Sequence, residues 1–178
     1  MEAPAGAADQ DGFRRLMSCF PTGVAVVTAL GADGRPHGMT CTSLSSVTLT
    51  PPTLLVCLAT GSGTLGALAA GGAFTVNLLH ARAQGAAELF SAPVKERFAQ
   101  VHWQPAPHLG QPWLDRDAFA FAECRLAGTT VVGDHAVVVG EVVHAEQRTD
   151  SPLLYGQRRF LRWPPAEAGD VMRKEGTG

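Results

Sequence analysis

The chain has 178 residues, 46% apolar and only 17% charged, against a usual charged share of roughly 25% in soluble domains. That length suits one domain with a full hydrophobic core and excludes a disordered chain; the low charge points to apolar surface buried against a partner, most simply a second copy. A net charge of −2 and a pI near 6.3 leave no basic footprint for nucleic acid, and no apolar run approaches the ~18 residues that span a membrane.

Residues 1–10 are small and acidic, unlike a cleaved leader, and read as a disordered tail. Residues 164–178 read as a flexible tail, leaving one domain at 11–163. Phe13, Leu16, Met17 and Phe20 form a short helical stripe that Pro21 ends. Val24–Leu30 is a β-branched strand, followed by the Asp33-Gly34 hairpin signal. From Met39 to Thr50 polar and apolar residues alternate, but the phase fails at Ser43-Leu44-Ser45, which requires a bend, a bulge or two separate strands. Thr53–Ala59 is a strand, Leu65–Ala70 a helix closed by Gly71-Gly72, and Phe74–Leu79 another strand. Residues 81–98 read as one or two helices split near Pro93, and 101–117 as a long loop. Phe119–Val132 and His135–Val143 flank Gly133-Asp134 as a hairpin with a II′ turn. Strands outnumber helices and most joins are hairpin-length, so the expected fold is mainly β: an antiparallel barrel with a few peripheral helices.

Few segments carry visible chemistry. Gly61-Ser62-Gly63-Thr64-Leu65-Gly66 matches G-x-G-x-x-G, but the following helix is short, no acidic residue ends the next strand, and no further βαβ unit follows. The segment reads either as a plain Gly-rich loop or as a phosphate site, with free N–H groups, a helix N-terminus and the Ser62 and Thr64 hydroxyls. The hydroxyl-rich stretch Thr40, Cys41, Thr42, Ser43, Ser45 and Ser46 reads equally as the wet face of a strand or as a wall that lets a flat ligand approach the backbone. Thr22-Gly23-Val24 reads as a turn, and His135 as a solvated edge residue. The six histidines form no H-E-x-x-H or H-x-H cluster, so no metal is expected. Glu88, Glu96, Glu123 and Glu141 are scattered over different elements and read as solvated.

In order along the chain, Phe20-Pro21-Thr22-Gly23-Val24-Ala25-Val26-Val27-Thr28, His37-Gly38-Met39-Thr40 leading to Ser43 and Ser46, Pro51-Pro52 with Leu55-Val56-Cys57-Leu58, Phe74–Leu79, and Gly133-Asp134-His135 with Gly140-Glu141-Val142 resemble the flavin reductase-like family, over about residues 13–160. That resemblance implies a Greek-key split β-barrel of the FMN-binding type. It implies a homodimer that oxidises NADH or NADPH with FMN or FAD and passes diffusing reduced flavin to a separate monooxygenase or halogenase. It places Met39, Thr40, Cys41, Thr42 and Ser43 against the isoalloxazine, and Ser45 and Ser46 at the ribityl and phosphate contacts. Cys57, Leu58 and Ala59 fall beside the ring, Ser62 and Thr64 in the phosphate loop, Asn77 and Leu78 on the strand next to the flavin, and Thr22, Gly23 and Val24 at the flavin-side turn. His135 resembles a histidine near the nicotinamide, and Tyr155 an aromatic that closes the pocket. On the same pattern Cys19, Cys41, Cys57 and Cys124 are buried or flavin-side thiols in a reducing cytoplasm. The family often has a basic residue in or near the phosphate loop. Here the loop is Gly-Ser-Gly-Thr, so phosphate recognition is expected to lean on N–H groups and hydroxyls, with loose flavin retention. Such an inventory lacks an acid–base pair, as hydride transfer between two cofactors allows. The composition, rich in Ala, Gly and Pro with Lys95 and Lys174 as the only lysines, suits a secondary-metabolite (antibiotic) pathway of a GC-rich genome. The alternatives are a flavin-binding split barrel without nicotinamide turnover and a related split-barrel oxidase. The oxidase is disfavoured because residues 36–80 contain no Arg or Lys.

Overall fold

Residues 9–163 are described by the computed structural model. Of the expected tails, 1–8 and 164–178 lie outside the described residues, whereas Asp9 and Gln10 belong to the first helix: the Asp9 carboxylate caps it by accepting the Gly12 N–H. Helix α1 (Gln10–Ser18) leads into β1 (Thr22–Gly23), β2 (Ala25–Leu30), β3 (Pro36–Cys41), β4 (Ser45–Leu49) and β5 (Pro52–Ala59). Then follow α2 (Gly63–Gly71), β6 (Ala73–Leu79), α3 (Gln84–Ser91), a 3-10 turn (Arg97–Gln100), β7 (Gln104–Pro105) and β8 (Pro112–Trp113). The chain finishes with β9 (Ala118–Val132), β10 (His135–Gln147), β11 (Leu153–Gly156) and β12 (Arg159–Arg162).

Seven strands form one antiparallel sheet in the order β3-β2-β6-β9-β10-β5-β4. The break in alternation at 43–45 separates β3 from β4. Ser43 Oγ in that break accepts the Cys57 N–H at 2.9 Å and donates to the Cys57 carbonyl at 3.2 Å. These bonds pin the end of β3 against β5 and curl the sheet into a barrel. Ala25, Val27, Val56, Leu58, Phe74, Val76, Cys124 and Val138 alternate inward to fill it, and Ala67 and Leu68 of α2 plug one end. Gly140 makes room for Phe74: a Cβ there would lie 2.4 Å from the Phe74 ring. The G-x-G-x-x-G match belongs to this antiparallel frame, because β5 and β6 are not neighbours and α2 carries the chain across the barrel end. A Rossmann unit needs parallel neighbours.

A second core lies outside the barrel, where Val24, just before β2, and Val26 on the outer face of β2 pack with Ala86, Ala87 and Phe90 of α3, with Leu114 and with Leu153.

Residues 81–98 give α3 and then the start of a 3-10 turn, split around Pro93 as expected. Three expectations change. The 101–117 loop contains the small β7–β8 ribbon, which lies over the sheet. The β11–β12 hairpin has no counterpart in the sequence reading; its turn residues Gln157 and Arg158 hold φ of 50° and 59°, the conformation that Asn-Gly usually supplies. Glu123, read as solvated, is fully buried, because the loop at 106–110 folds over it and His108 and Leu109 donate their N–H groups to its carboxylate.

All four cysteines are free, and Cys19 is exposed on the α1 exit rather than buried. Burial pushes the Cys41 thiol above its ordinary range. Burial, and then the charge of Glu123, pushes Cys124 up to about 12. Both shifts favour the neutral thiol over the nucleophilic thiolate.

Candidate functional site

Two depressions lie at opposite ends of β3. The first is a cleft of about 670 Å³. The Thr42–Ser45 break forms its floor, Phe13, Met17 and Phe20 one wall, and Tyr155, Gly156 and Arg158 the other. The walls are fixed to each other: Thr22 pairs with Tyr155 across β1–β11, and the Gln157 N–H donates to the Ser18 carbonyl at 2.7 Å. A smaller apolar recess continues the cleft past Thr22, Gly23, Val24, Thr42 and Leu78. Apolar walls with short hydroxyl side chains on the floor suit a flat ring that needs only a few polar contacts.

The second depression, about 580 Å³, is polar. The start of α2 forms one side: Ser62 caps the helix by accepting the Leu65 N–H at 3.2 Å, while the N–H groups of Gly63 and Thr64 have no intrahelical acceptor. His37 of β3 lies so close that a Cβ on Gly63 would be 2.9 Å from its Nδ1. Across from them stand Lys95 and Arg97, with Glu96 between them. Arg97 is anchored by donating to the Gly38 carbonyl at 2.8 Å and to the Ala92 carbonyl, and its buried Nε has no partner. Among the described residues, neither Lys95 nor Arg97 has a carboxylate within salt-bridge distance. Unpaired cations facing a helix N-terminus make an anion site.

The fold thus brings a basic pair, Lys95 and Arg97, to face the Gly-Ser-Gly-Thr loop. Sequence reading missed both, since they lie far from the loop in the chain. The available signal was a basic pair just after the Pro93 helix break.

The structure gathers Thr22, Thr42, Ser43, Ser45 and Tyr155 in the cleft, with Gly23, Val24 and Leu78 in its recess. Met39, Thr40 and Cys41 lie on β3 between the two depressions, Cys41 buried in the barrel and Thr40 Oγ1 donating to the Ala87 carbonyl at 2.6 Å. Thr64 lines the polar depression and Ser62 caps the helix beside it. Other expected residues fall elsewhere. Leu58 is a core side chain, Cys57 spends its backbone groups on Ser43, and Ser46 is exposed on β4. Asn77 is fully buried: its amide donates to the Val26 carbonyl and to Thr28 Oγ1, both at 3.0 Å, and its carbonyl accepts the Leu114 N–H at 2.9 Å. Its side chain serves the fold and reaches neither depression. His135 pairs with Ala59, half-exposed, with Nδ1 2.8 Å from the Asp134 carboxylate. It lines neither depression within one chain.

Residues 17–164 match the flavin reductase-like domain. The chain belongs to the flavin reductase-like family. It is 59% identical to the flavin reductase (NADPH) of Lentzea aerocolonigenes over 85% of this chain and 89% of that protein. Among solved structures it resembles the NADH:FAD oxidoreductase SgcE6 of Streptomyces globisporus C-1027, in complex with NAD and FAD fragments. That match has a TM-score of 0.82 and 34% identity over 89% of this chain and 94% of that one. It also resembles BorF, the flavin reductase component of a bacterial two-component tryptophan halogenase, with a TM-score of 0.80 and 34% identity over 88% of this chain and 99% of that one. The mainly β, antiparallel barrel is this family's split-barrel fold, and among the described residues no helix is long and apolar enough to cross a membrane.

Proposed function

We propose that this chain is an NAD(P)H:flavin oxidoreductase that supplies free reduced flavin, FMN or FAD, to a separate monooxygenase or halogenase of a secondary-metabolite pathway. The carrying observation is the two-ended layout of β3. An apolar cleft at Thr42 and an anion site at Gly38 are separated by four residues of strand, roughly 13 Å at about 3.3 Å per residue, a spacing that suits a ring joined to a phosphate by a ribityl chain. Flavin held there would supply the hydride acceptor for a nicotinamide stacked on it, chemistry that belongs to the cofactors rather than to side chains. The protein's part is to hold the ring against Thr42–Ser45, to neutralise the phosphate with Arg97, Lys95 and the α2 N-terminus, and to leave the cleft open for exchange.

The decisive assay mixes pure protein with NADH or NADPH and catalytic FMN or FAD in air and follows nicotinamide absorbance. Protein-dependent loss is expected in at least one of the four pairings. Loss in none would restore the flavin-binding reading.

His135 is assigned to the nicotinamide side, with the site completed by a second copy. His135→Ala should then lower kcat/KM for NAD(P)H by roughly 10-fold, the loss of about one hydrogen bond, with flavin affinity unchanged. Equal losses in both would remove the assignment. A homodimer is supported by unpartnered apolar surface. No residue of α1 is buried, Phe13, Leu16, Met17 and Phe20 are exposed, and Val47 and Leu49 stand on the open edge strand β4. Soluble monomers seldom leave such patches bare. Light scattering should give twice the 18.6 kDa chain mass; a monomer at micromolar concentration would contradict the dimer.

A further inference from the structure

We propose that His108, Glu123 and His144 bind one divalent transition-metal ion of the zinc class, which clamps the 101–117 loop to the outer face of the barrel. None of the three residues lines either depression, and the site does not depend on the flavin reading. It is assembled by sheet register. Thr28, Thr75, Glu123 and His144 are successive partners across β2, β6, β9 and β10, a polar row on the outside of an apolar barrel. The β7–β8 ribbon roofs this row, with Thr28 Oγ1 donating to the Pro112 carbonyl. His108 comes down from the roof, its ring centroid 4.1 Å from that of His144.

One ligand atom from each of His108, Glu123 and His144 falls within 4.8 Å of the others. Around a zinc ion with bonds of about 2.0–2.1 Å, tetrahedral ligand atoms stand roughly 3.3 Å apart. Closing that difference takes a small rotation of His108, which is exposed.

Three features favour a cation. Glu123 is fully buried, and among the described residues no Lys or Arg pairs with it. It is held by two backbone N–H groups, the Leu109 donor at 2.6 Å. Buried carboxylates without a basic partner are otherwise costly, and coordination is one of the ways they persist. Second, His144 Nε2 is 3.0 Å from Glu146 Oε1, the carboxylate–histidine pairing that fixes a tautomer and leaves Nδ1 as the free ligand nitrogen. Third, Thr75 Oγ1 and Trp113 Nε1, two of the three buried side-chain polar atoms without a partner among the described residues, belong to the row and to its roof. Two imidazoles and one carboxylate with solvent access make a three-ligand set that leaves water in the remaining position.

The test uses the full chain stripped with EDTA, titrated with Zn2+ by calorimetry and with Co2+ by visible absorption. Saturation at one ion per chain is expected, with a Tm that climbs with the logarithm of zinc concentration. His108→Ala, which alters an exposed side chain and so spares the core, should abolish stoichiometric binding and the Tm response. Glu146→Gln should weaken binding by roughly 10- to 100-fold, the usual cost of removing a supporting partner. Flavin reduction by His108→Ala should remain that of the parent. No saturable binding by the parent chain would overturn the proposal. So would binding that His108→Ala leaves intact, since the ion would then sit elsewhere.

Discussion

Arg97→Ala is expected to raise the KM for FMN by roughly 10- to 100-fold more than that for riboflavin, since a hydrogen bond to a charged group is worth about 1.5–3 kcal/mol. The comparison works because riboflavin carries the same ring and ribityl chain without the phosphate. Arg97 has two duties in the fold. Its terminal nitrogens hold the Gly38 and Ala92 carbonyls, fixing the loop after α3 against β3, while its positive charge, without a carboxylate partner among the described residues, stands opposite the α2 N-terminus. Removing the clamp alone would loosen the loop and affect both flavins alike. Removing the charge affects only the phosphorylated one. Arg97→Lys keeps the charge but loses the planar fork, so it should recover part of the FMN affinity. The FMN penalty should also shrink as ionic strength rises, because the depression is open to solvent. Steady-state kinetics with both flavins, together with melting curves of each variant, make the measurement. Equal KM increases for FMN and riboflavin would reduce Arg97 to a loop anchor and leave the second depression without an anion.

What could be read from the sequence follows the range of the interactions involved. Asp33-Gly34 and Gly133-Asp134 announced their hairpins because the turn itself demands those residues, with φ of 75° at Gly34 and 60° at Gly133. Gly72 likewise closed α2 in the left-handed region. The break at Ser43-Leu44-Ser45 was visible as a lost phase, but not its purpose: Ser43 completes the barrel by bonding to Cys57, which lies on another strand. The β11–β12 hairpin was hidden because Gln157 and Arg158 occupy positions that Asn and Gly usually fill. The burial of Glu123 was hidden because its roof is a ribbon with two residues per strand, too short to show alternation. The polar depression could not be assembled from spacing either, since Arg97 and Gly38 are 59 residues apart. The α1 stripe illustrates the opposite case: its periodicity gave the helix, but periodicity alone does not say what the apolar face meets, and within one chain it meets solvent.

Asn77→Ala should cost about 3–5 kcal/mol of stability, because each buried group left without its partner carries roughly 1–3 kcal/mol. The family pattern puts this residue beside the flavin, whereas its geometry makes it a rivet. The amide donates to the Val26 carbonyl and Thr28 Oγ1 on β2, and accepts the N–H of Leu114, itself fully buried at the end of the 101–117 loop. One side chain thus joins two strands and the roof in a place water does not reach. Truncation orphans the Leu114 N–H and removes a partner from Thr28, and Ala is too small to fill the space. Asn77→Asp keeps an acceptor for Leu114 but replaces the two donated bonds with a buried negative charge, so it should destabilise as well. Denaturant titration reads the loss directly, as a lower midpoint with an unchanged slope. The discriminating measurement is flavin KM taken well below the midpoint, where the variant is still folded. With Asn77 sealed away from both depressions, that KM should match the parent's. A large rise in KM with little change in midpoint would return Asn77 to the flavin site and require the outer core to open around it during turnover.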